Sequence, residues 1–543
     1  MAVLLSAAVA VAALLAGRLG RSDPLPRSTS RCLAVSSPVT KPWVLRCSER
    51  RLAGTVNGGL VARLRHLVVV IPGIGGSVLE TVGGSPVWGQ GLSGLVKPLV
   101  DPARMSLAEN KTLRPTCLLP STHILPWKTV PGYDGLVRQL INTFKLGNGD
   151  VDIARDGPPR KPGAGVVLFP YDFRLSVAVA AGRLQREVDQ RLAELSVDER
   201  HKHVIVVAHS MGGLVARFWL GPLGGARYCD LLLTLGTPHR GAPKALDWLL
   251  NGVRVGPGPV GALTSRLLSN ATAVLREWSS TYELLPRYQA VRDEESGDLC
   301  YPHDLAAGDW FGKGAREAFG IHRRIEDEWP TPDSPDRPDV LALFARGHAT
   351  PSRTVCTGGR VRVSKVDAEW QPNRGWRGDG TVPAISAYPI ELSDEPRARR
   401  AVPERHGPMA TTAAAVDVVR EYEAESTASL RRDTPDLRRD TPEGPWLGLD
   451  IDDVVAAGEP FPLATELLGA DGVDGAAAWV TVRQDRPGVE AMSQPQPMTG
   501  AGGRWETTMP GLAPGSYRVM VEVVDVPRCD RVTGHEVVGV IEP

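Results

Sequence analysis

Apolar residues along most of this chain fall in short unbroken runs rather than in strict alternation with polar residues. Five such runs are LVVVIPGIGG (67–76), GVVLFPYDF (165–173), HVIVVAHS (203–210), DLLLTLGTPHRG (230–241) and RTVCTGGRVRVSKV (353–366). Continuous apolar strands are typical of parallel sheets, in which both faces of the sheet are covered. The pattern therefore predicts a buried parallel sheet that begins shortly after residue 60.

Segments with helical periodicity lie between and after these runs. They are VAVAAGRLQREVDQRLAELS (177–196), MGGLVARFWL (211–220) and AAAVDVVREYEAE (413–425). Strands that alternate with helices predict an α/β fold over residues 61–428. Two long stretches rich in Trp, Pro and Gly, about 80–164 and 242–350, interrupt this rhythm. We interpret them as inserted caps or lids over a site, with surface decoration as the alternative.

The C-terminal part of the chain has a different texture. The heptad RRDTPDL is followed by a near-copy, RRDTPEG, at 431–444, and its Pro and alternating charges predict a linker over 429–446. Beyond it, short apolar segments bounded by Gly, Pro or Asp predict an Ig-like β-sandwich over 447–543. Val519, Val521 and Val523 share one face of its last long strand. Because the chemical motifs all precede the linker, the sequence predicts that this module is separable from the activity.

Composition restricts the classes of function. Lys plus Arg and Asp plus Glu number 62 each in 543 residues, so the net charge gives no basic excess for a nucleic-acid partner. The seven cysteines include no C-x-x-C pair, which argues against a zinc site and a disulfide-dense scaffold. Mostly free, buried thiols are favoured, and one or two disulfides remain open. We predict no metal and no cofactor.

The N-terminal segment has two interpretations. Residues 2–16 are nearly all apolar, too short for a comfortable membrane span but as long as a signal-peptide core, although no Lys or Arg precedes them. Residues 17–60 are rich in Arg, Ser and Pro without a clear period. Residues 1–60 are therefore either a signal peptide or weak anchor with a flexible segment, or an extension on a cytoplasmic enzyme. Export, with secretion or membrane association, is slightly favoured.

Ser210 is the strongest candidate for a reactive residue. It follows the apolar run at 204–208 and precedes a helix, and small residues, Ala208 and Gly212, lie two positions on either side. A strand that turns sharply into a helix needs small residues there, and A-x-S-x-G is a variant of the G-x-S-x-G nucleophile elbow. The helix N-terminus also favours developing negative charge. The competing interpretation is an ordinary N-cap serine.

A serine nucleophile needs a base and an acid, which in this topology follow it in the order Ser, Asp or Glu, His. Asp379, in RGDGTVP, is the strongest acid candidate, with a plain β-turn as the alternative. Only His406 and His535 follow it, and His535 lies in the predicted sandwich, so His406 is the predicted base. His239, in GTPHRG, is read as a wall or structural residue.

The oxyanion of an acyl-transfer intermediate needs two main-chain donors. We predict the N–H of Met211, directly after the nucleophile, and a second N–H from the glycine-rich loop PGIGGS. Within that loop we choose Ile74, with Gly73 as the neighbouring alternative.

Taken together, PGIGGSVLE, PYDFRLS, AHSMGGLVAR, GDGTVP and the later histidine resemble the lecithin:cholesterol acyltransferase family and its lysosomal phospholipase relatives. The resemblance covers roughly 66–246 and 350–415. It implies an α/β-hydrolase fold with a mostly parallel central sheet, a triad of Ser210, Asp379 and His406, and oxyanion donors at Ile74 and Met211. Asp172 matches a family element that we read as structural.

The chain also departs from this family. Animal members carry a disulfide-closed lid early in the chain, and no matching cysteine pair occurs between Ile74 and Trp127. Trp88, in SPVWGQG, is read either as an apolar lid residue or as core. The C-terminal sandwich is not part of the usual family pattern.

We therefore expect a serine O-acyltransferase or lipase-esterase that acts on lipid-like esters through an acyl-enzyme. Transient contact with a membrane surface is compatible with this expectation, and the oligomeric state is open. Two alternatives remain: a silent hydrolase fold whose sandwich is a binding module, and a peptidase or thioesterase on the same fold. Whether water or an alcohol takes the acyl group is left open.

Overall fold

The computed structural model describes residues 64–89, 94–95, 97–98, 101–123, 129–194, 203–253, 268–370, 375–395, 398–429, 445–484, 493–527 and 529–541. The predicted signal-like segment and the RRDTP linker lie outside these residues. Among the helices of the described residues, none has both the length and the apolar character needed to cross a membrane.

A seven-stranded parallel sheet forms the centre of the larger domain. Its strands, in chain order, are β1 (Leu67–Ile71), β2 (Val151–Ile153), β3 (Val166–Leu168), β4 (Val204–His209), β5 (Cys229–Leu235), β6 (Asp339–Ala345) and β7 (Arg399–Val402). Their order across the sheet is β7-β6-β5-β4-β1-β3-β2, and every neighbouring pair is parallel. The predicted α/β-hydrolase fold with a mostly parallel sheet is confirmed.

The apolar runs are continuous because both faces of the sheet are buried. In β1, Val69 and Ile71 pack into one core, whereas Val68 and Val70 pack into a second core on the opposite face. Successive side chains of a strand point to opposite faces, so an apolar residue is needed at each position. The sheet therefore lies between two hydrophobic layers, and its polar chemistry is confined to the ends of the strands.

Helices cover both faces of the sheet and build the caps. They are α1 (Asp134–Phe144), α2 (Val177–Ala193), α3 (Gly212–Leu220), α4 (Pro243–Asn251), α5 (Ser269–Leu275), α6 (Ser279–Tyr282), α7 (Asp309–Asp327) and α8 (Ala413–Ser429). Short 3₁₀ segments are Pro102–Met105, Gly225–Tyr228, Pro302–Asp304, Ala384–Ser386, Ile390–Leu392 and Pro408–Thr411. The three helices expected from periodicity are present as α2, α3 and α8.

One predicted strand run belongs to a different sheet. RTVCTGGRVRVSKV forms an antiparallel hairpin, Arg353–Thr357 and Arg360–Ser364, in a four-stranded sheet with Val291–Asp293 and Leu299–Cys300. Its Gly358 and Gly359 adopt positive φ at the turn, which returns the chain instead of leading it into a crossover. The central sheet uses β6 in its place, and β6 and β2 both come from stretches that the sequence assigns to the caps.

The first cap segment also contains small antiparallel sheets. One joins Pro86–Trp88, Ser77–Thr81 and Leu113–Leu118 in that order, and the other joins Thr122–His123 and Thr129–Val130. Cys117, in this region, is disulfide-bonded, whereas Cys229, Cys300, Cys356 and Cys529 are free. The expectation of mostly free thiols therefore has one exception among the described cysteines.

Two β-sheets form the C-terminal sandwich. Its strands are β8 (Trp446–Asp450), β9 (Val454–Ala456), β10 (Phe461–Leu468), β11 (Ala477–Gln484), β12 (Gln496–Pro497), β13 (Thr499–Ala501), β14 (Arg504–Met509), β15 (Gly515–Val526) and β16 (Cys529–Ile541). The sheet orders are β8-β10-β14-β13 and β9-β16-β15-β11-β12. All pairs are antiparallel except β9 with β16. Val519, Val521 and Val523 are fully buried in a separate core, as their alternation predicts.

Candidate active site

Ser210 stands at the corner between β4 and α3 in a strained backbone conformation. Its φ is 53°, in the left-handed region that residues other than glycine rarely adopt. Two main-chain hydrogen bonds hold the corner. The N–H of Ser210 donates to the oxygen of Leu235 at 2.9 Å, and the carbonyl oxygen of Ser210 accepts from the N–H of Gly213 at 3.0 Å. This geometry matches a nucleophile elbow, which aims the hydroxyl at the carboxyl edge of the sheet.

Glycines around the corner make this turn possible. A Cβ on Gly212 would lie 2.6 Å from the main-chain oxygen of Pro72, and one on Gly213 would lie 2.1 Å from Oγ1 of Thr237. On the other side, a Cβ on Gly73 would lie 2.7 Å from Cβ of Ser210. The loop after β1 and the start of α3 therefore approach each other as closely as backbones allow, with Ser210 between them.

The three predicted residues Ser210, His406 and Asp379 form one hydrogen-bonded series. Nε2 of His406 lies 2.9 Å from Oγ of Ser210, and Nδ1 of His406 lies 2.7 Å from Oδ2 of Asp379. All three side chains are buried, with relative exposures of 4%, 3% and 2% in the same order. The main chain adds a third link, since the main-chain N–H of His406 donates to the main-chain oxygen of Asp379 at 3.0 Å.

The Asp379 loop holds its carboxylate in the ionised form. Oδ1 accepts the N–H groups of Thr381 at 2.8 Å and Val382 at 2.7 Å, which leaves Oδ2 for His406. Burial alone would raise the pKa of Asp379, but the charge and hydrogen bond of His406 and these two N–H groups outweigh it and lower the pKa. The two interpretations of Asp379, a β-turn residue and the candidate acid, are therefore compatible, because the same loop does both.

Gly236, in the GTPHRG motif, makes room for this pair. Its φ is 56°, and a Cβ there would lie 3.0 Å from Oδ2 of Asp379 and 3.2 Å from Nδ1 of His406. From the sequence, His239 in this motif is interpreted as a wall or structural residue, and Gly236 is given no role. A glycine directly after a buried strand is the signal that could have revealed this residue.

Of the predicted oxyanion donors, Met211 directly follows Ser210, and Ile74 follows Gly73, where an added Cβ would lie 2.7 Å from Cβ of Ser210. Among the described residues, the N–H groups of Ile74 and Met211 have no hydrogen-bond acceptor, and Met211 stands at the N-terminus of α3. The alternative donor, the Gly73 N–H, is already bonded to the hydroxyl of Tyr133 at 2.8 Å. The geometry thus favours Ile74 over Gly73.

Tyr133 and His209 connect the two sides of the site, and sequence reasoning missed both roles. The Tyr133 hydroxyl lies 2.8 Å from Nδ1 of His209, and Nε2 of His209 lies 2.9 Å from the main-chain oxygen of His406. Because a carbonyl only accepts, Nε2 carries the proton and Nδ1 accepts from Tyr133. Burial, followed by the nearby His406, lowers the pKa of His209 to about 3 and keeps the ring neutral.

Other residues singled out from the sequence lie in supporting positions. Buried His239 has Nε2 3.2 Å from Oγ1 of Thr234, with no contact to Ser210, as a structural residue would. Trp88 is 1% exposed and donates from Nε1 to the Gly75 oxygen at 2.9 Å, so it packs against the PGIGGS loop (72–77), which carries the candidate oxyanion donor Ile74 and is called the oxyanion loop below. Asp172 forms a two-point ion pair with fully buried Arg174, through Nε at 2.9 Å and NH2 at 2.7 Å.

An apolar seam runs between the two cap segments beside Trp88. It contains a partly open cavity of about 30 Å³ that is lined by apolar residues. The lining residues are Trp88, Pro98, Pro102, Met105, Val253, Leu268, Ala271, Val274, Leu275 and Trp278. Phe173 lies edge-on to both Trp88 and Trp278, at centroid distances of 6.0 and 5.7 Å.

The fold and this site define the class of the protein as an α/β-hydrolase. The resemblance to the lecithin:cholesterol acyltransferase family is confirmed over residues 160–304, where the family model matches. That segment contains Ser210, whereas Asp379 and His406 lie beyond it. The match and the fold support activity of the acyltransferase or esterase type. No curated protein sequence matches this chain.

Among solved structures, this chain is similar to the lipase BlEst2 of Bacillus licheniformis in propeptide form. The identity is 11%, the TM-score is 0.26, and 87% of this chain and 93% of that chain are covered. Two shorter likenesses each cover 18% of this chain. They are to superoxide reductase from Ignicoccus hospitalis (10% identity, TM-score 0.13, 80% of that chain) and to a CARDB domain from Pyrococcus furiosus (14%, 0.14, 94%). At these TM-scores the fold assignment rests on the strands described above.

Proposed function

We propose that this protein transfers acyl groups from lipid esters through a covalent acyl-enzyme on Ser210. The observation that carries the proposal is the hydrogen-bonded series from Oγ of Ser210 through His406 to Asp379, at 2.9 and 2.7 Å. The base lies within reach of the nucleophile, and the acid orients the base. An N-cap serine that served only the helix would need neither partner.

The proposed reaction has two halves. Nε2 of His406 takes the proton as Oγ of Ser210 attacks the ester carbonyl, and it then protonates the leaving alcohol. The N–H groups of Ile74 and Met211 hold the oxyanion of the tetrahedral intermediate. In the second half, His406 activates the acceptor, which attacks the acyl-enzyme and frees Ser210. Asp379 keeps the proton on Nδ1 and stabilises the imidazolium in both halves.

The apolar seam supports a lipid-like acyl group. It adjoins the oxyanion loop, because Trp88 lines the seam and bonds Gly75, the residue after Ile74. A cavity of about 30 Å³ holds little more than one water, so an acyl chain enters only when the two cap segments separate. We propose that the caps act as a lid of this kind. The competing acceptors, water and an alcohol, share the first half-reaction.

The disulfide at Cys117 favours export over the cytoplasm. Structural disulfides persist in oxidising compartments and are rare in reducing ones. This supports the slight preference for secretion or membrane association drawn from residues 1–60.

A fluorophosphonate probe tests the nucleophile directly. Wild-type protein should be labelled, and Ser210→Ala should lose both labelling and roughly 10⁴-fold in kcat. Ser176→Ala is a matched control, because Ser176 caps the N-terminus of α2 and lies outside the site. This variant should be labelled like the wild type. Full labelling of Ser210→Ala would exclude the proposed nucleophile.

The substrate class needs a second measurement. A panel of phospholipid, triglyceride and thioester substrates and peptide amides, with and without an alcohol acceptor, separates the alternatives. Turnover of lipid esters is expected, with acyl-alcohol product appearing only if transfer competes with hydrolysis. The peptidase or thioesterase alternative would be favoured if Ser210 is labelled, no lipid ester is turned over, and a peptide or thioester is.

A further inference from the structure

The C-terminal sandwich contacts the two loops that carry Asp379 and His406. Arg377 precedes the acid by two residues, and Arg405 directly precedes the base. Both guanidinium groups meet carboxylates of the sandwich. The sandwich is therefore packed behind the active site. Most of its apolar residues form a core of their own, but Val454 and Ala456 of β9 belong to a core of the larger domain.

On the base side, Arg405 makes three contacts with the sandwich. Its Nε lies 2.9 Å from Oε2 of Glu536, NH1 lies 3.5 Å from Oδ1 of Asp453, and NH2 donates to the Leu449 oxygen at 3.0 Å. Burial opposes the charge, but these carboxylates outweigh it and raise the pKa of Arg405. The residue next to the catalytic histidine is thus held by three strands or turns of the other domain.

On the acid side, Arg377 links the loop to the sandwich in the same manner. Its Nε lies 2.9 Å from Oε2 of Glu466, and NH2 lies 3.7 Å from Oδ2 of Asp450. Arg377 Nε also donates to the Gly347 oxygen at 3.1 Å. Gly347 in turn packs against β8, since a Cβ on Gly448 would lie 2.6 Å from the Gly347 carbonyl carbon.

His348 joins both loops and the sandwich at one point. The main-chain N–H of His348 donates to the main-chain oxygen of Gly378. In its ring, Nε2 lies 2.9 Å from the main-chain oxygen of Pro403, and Nδ1 accepts the main-chain N–H of Leu449 at 3.3 Å. Gly378 and Pro403 belong to the acid and base loops. Burial, and after it the charge of Arg405, lowers the pKa of His348, which suits the neutral ring that this bonding needs.

We propose that the sandwich is a positioning domain for the triad, which holds the acid loop through Arg377, the base loop through Arg405, and both through His348. This inference rests on the proposed function. Asp379 and His406 come from loops after different strands, so their 2.7 Å bond depends on the relative position of two loops. Misplacing a catalytic group by about 1 Å can cost 10²-fold in rate. The sequence predicted a separable module, whereas these contacts make the sandwich part of the catalytic geometry.

The test changes only the sandwich side, in the full-length protein. The double variant Glu466→Gln/Glu536→Gln neutralises the partners of both arginines, and Glu466→Asp/Glu536→Asp keeps their charge. Gly448→Ala inserts a methyl group against Gly347. Matched controls are Glu522→Gln, whose partner Arg531 lies within the sandwich at 2.5 Å, and Gly475→Ala, where a Cβ meets open space.

Each protein is assayed for kcat and KM on a soluble ester, per site titrated with the fluorophosphonate probe, across pH 5 to 9. The neutralised double variant and Gly448→Ala should lose roughly 10- to 100-fold in kcat with KM changed less than twofold. The acidic limb of their kcat profile should move to lower pH, because a displaced carboxylate no longer stabilises the imidazolium. The charge-keeping variant should recover part of the loss, and both controls should stay within twofold of wild type.

Two results separate this inference from the proposed function. If the interface variants lower the melting temperature but keep kcat per active site and the pH profile, the sandwich only stabilises the fold, and the inference is overturned. If Ser210→Ala keeps its labelling, the triad itself is wrong, whatever the interface variants do.

Discussion

Nε2 of His209 lies 2.9 Å from the main-chain oxygen of His406, so the residue before the proposed nucleophile supports the backbone of the proposed base. The other ring nitrogen meets Tyr133, whose hydroxyl accepts the Gly73 N–H beside the oxyanion loop. A neutral histidine next to the serine thus connects the loop after β1 with the loop after β7. The two loops are far apart in sequence, and one ring joins them.

Removal of the Tyr133 hydroxyl should impair catalysis more than folding. Tyr133→Phe leaves the Gly73 N–H without its acceptor and Nδ1 of His209 without its donor. We expect kcat on a soluble ester to fall roughly tenfold with little change in KM, because the oxyanion loop loses its support. Tyr228→Phe is the matched control, since that half-buried ring stacks with Arg227 and packs against the hydrophobic core. Equal kcat values for the two variants would refute the connecting role of Tyr133.

The base assignment can be decided by comparing the two histidines that follow Asp379. His406→Ala should cost about as much kcat as loss of the serine, on the order of 10⁴-fold, because triad members act as a unit. Asp379→Asn should cost a similar factor by favouring the wrong tautomer of His406. His535→Ala, an exposed position in β16, should stay within roughly twofold. A near-normal His406→Ala enzyme would return His239 to candidacy.

Gly236→Ala should damage the site although it replaces no residue of the proposed triad. The alanine would need the left-handed backbone of Gly236, and its methyl group would press on Oδ2 of Asp379. We expect kcat to fall by at least tenfold and the protein to lose about 1 kcal/mol of stability. Gly182→Ala in α2, where a Cβ would meet only NH1 of Arg186 at 3.9 Å, should leave kcat unchanged. The prediction fails if both alanine variants have wild-type kcat and melting temperature.

A large side chain in the apolar seam should change the preference for acyl-chain length. Ala271 lines the seam from α5, whereas Ala273 on the same helix faces solvent. Ala271→Trp should lower kcat/KM for long-chain esters at least tenfold relative to butyrate esters, because the tryptophan fills the space between the caps. Ala273→Trp is the control and should keep the wild-type ratio. Should both variants keep it, the acyl chain lies elsewhere.

His66 lies at the end of the sheet opposite to Ser210 and should make the stability of the protein depend on pH. Its Nδ1 lies 2.9 Å from Glu423 and its Nε2 lies 2.9 Å from Asp230. Burial lowers its pKa, but the two carboxylates outweigh this effect and raise the pKa to about 9. Because the pKa of His66 is higher in the folded state, its protonated ring stabilises the fold. This stabilisation is complete below pH 6.5, the ordinary pKa of histidine, and is lost as the pH rises through 9.

Urea unfolding of wild type and His66→Gln measures this contribution. The difference in unfolding free energy should be largest near pH 6 and should shrink by at most about 3 kcal/mol by pH 9.5. A difference that stays constant across this range would show that His66 acts through packing alone.

Local signals in the sequence were sufficient for four strands of the central sheet and for the corner at Ser210. Continuous apolar runs predict strands buried on both faces; β1, β3 and β4 lie within the predicted runs, and β5 begins one residue before its run. The small residues around Ser210 predict a tight corner, and Ser210 has φ of 53° there. Such features depend on a few neighbouring residues, so periodicity and residue size reveal them.

Local signals could not assign strands with similar sequence patterns to the correct sheet. RTVCTGGRVRVSKV and the segment of β6 are both short apolar runs, and only β6 enters the central sheet. Strand pairing is decided by contacts across the chain, and a glycine turn after Thr357 is enough to fold the first run back on itself.

The sequence by itself determined the fold class, four strands of the parallel sheet, the tight corner at Ser210 and the order of candidate residues, because each follows from short-range pattern and chain order. Tertiary structure alone decided that His209 and Tyr133 link the oxyanion loop to His406, and that Gly236 makes room for Asp379. It also decided that the sandwich meets Arg377 and Arg405 through Glu466 and Glu536. These contacts join residues from about 60 to more than 190 positions apart in the chain, and no local pattern encodes which distant side chains meet.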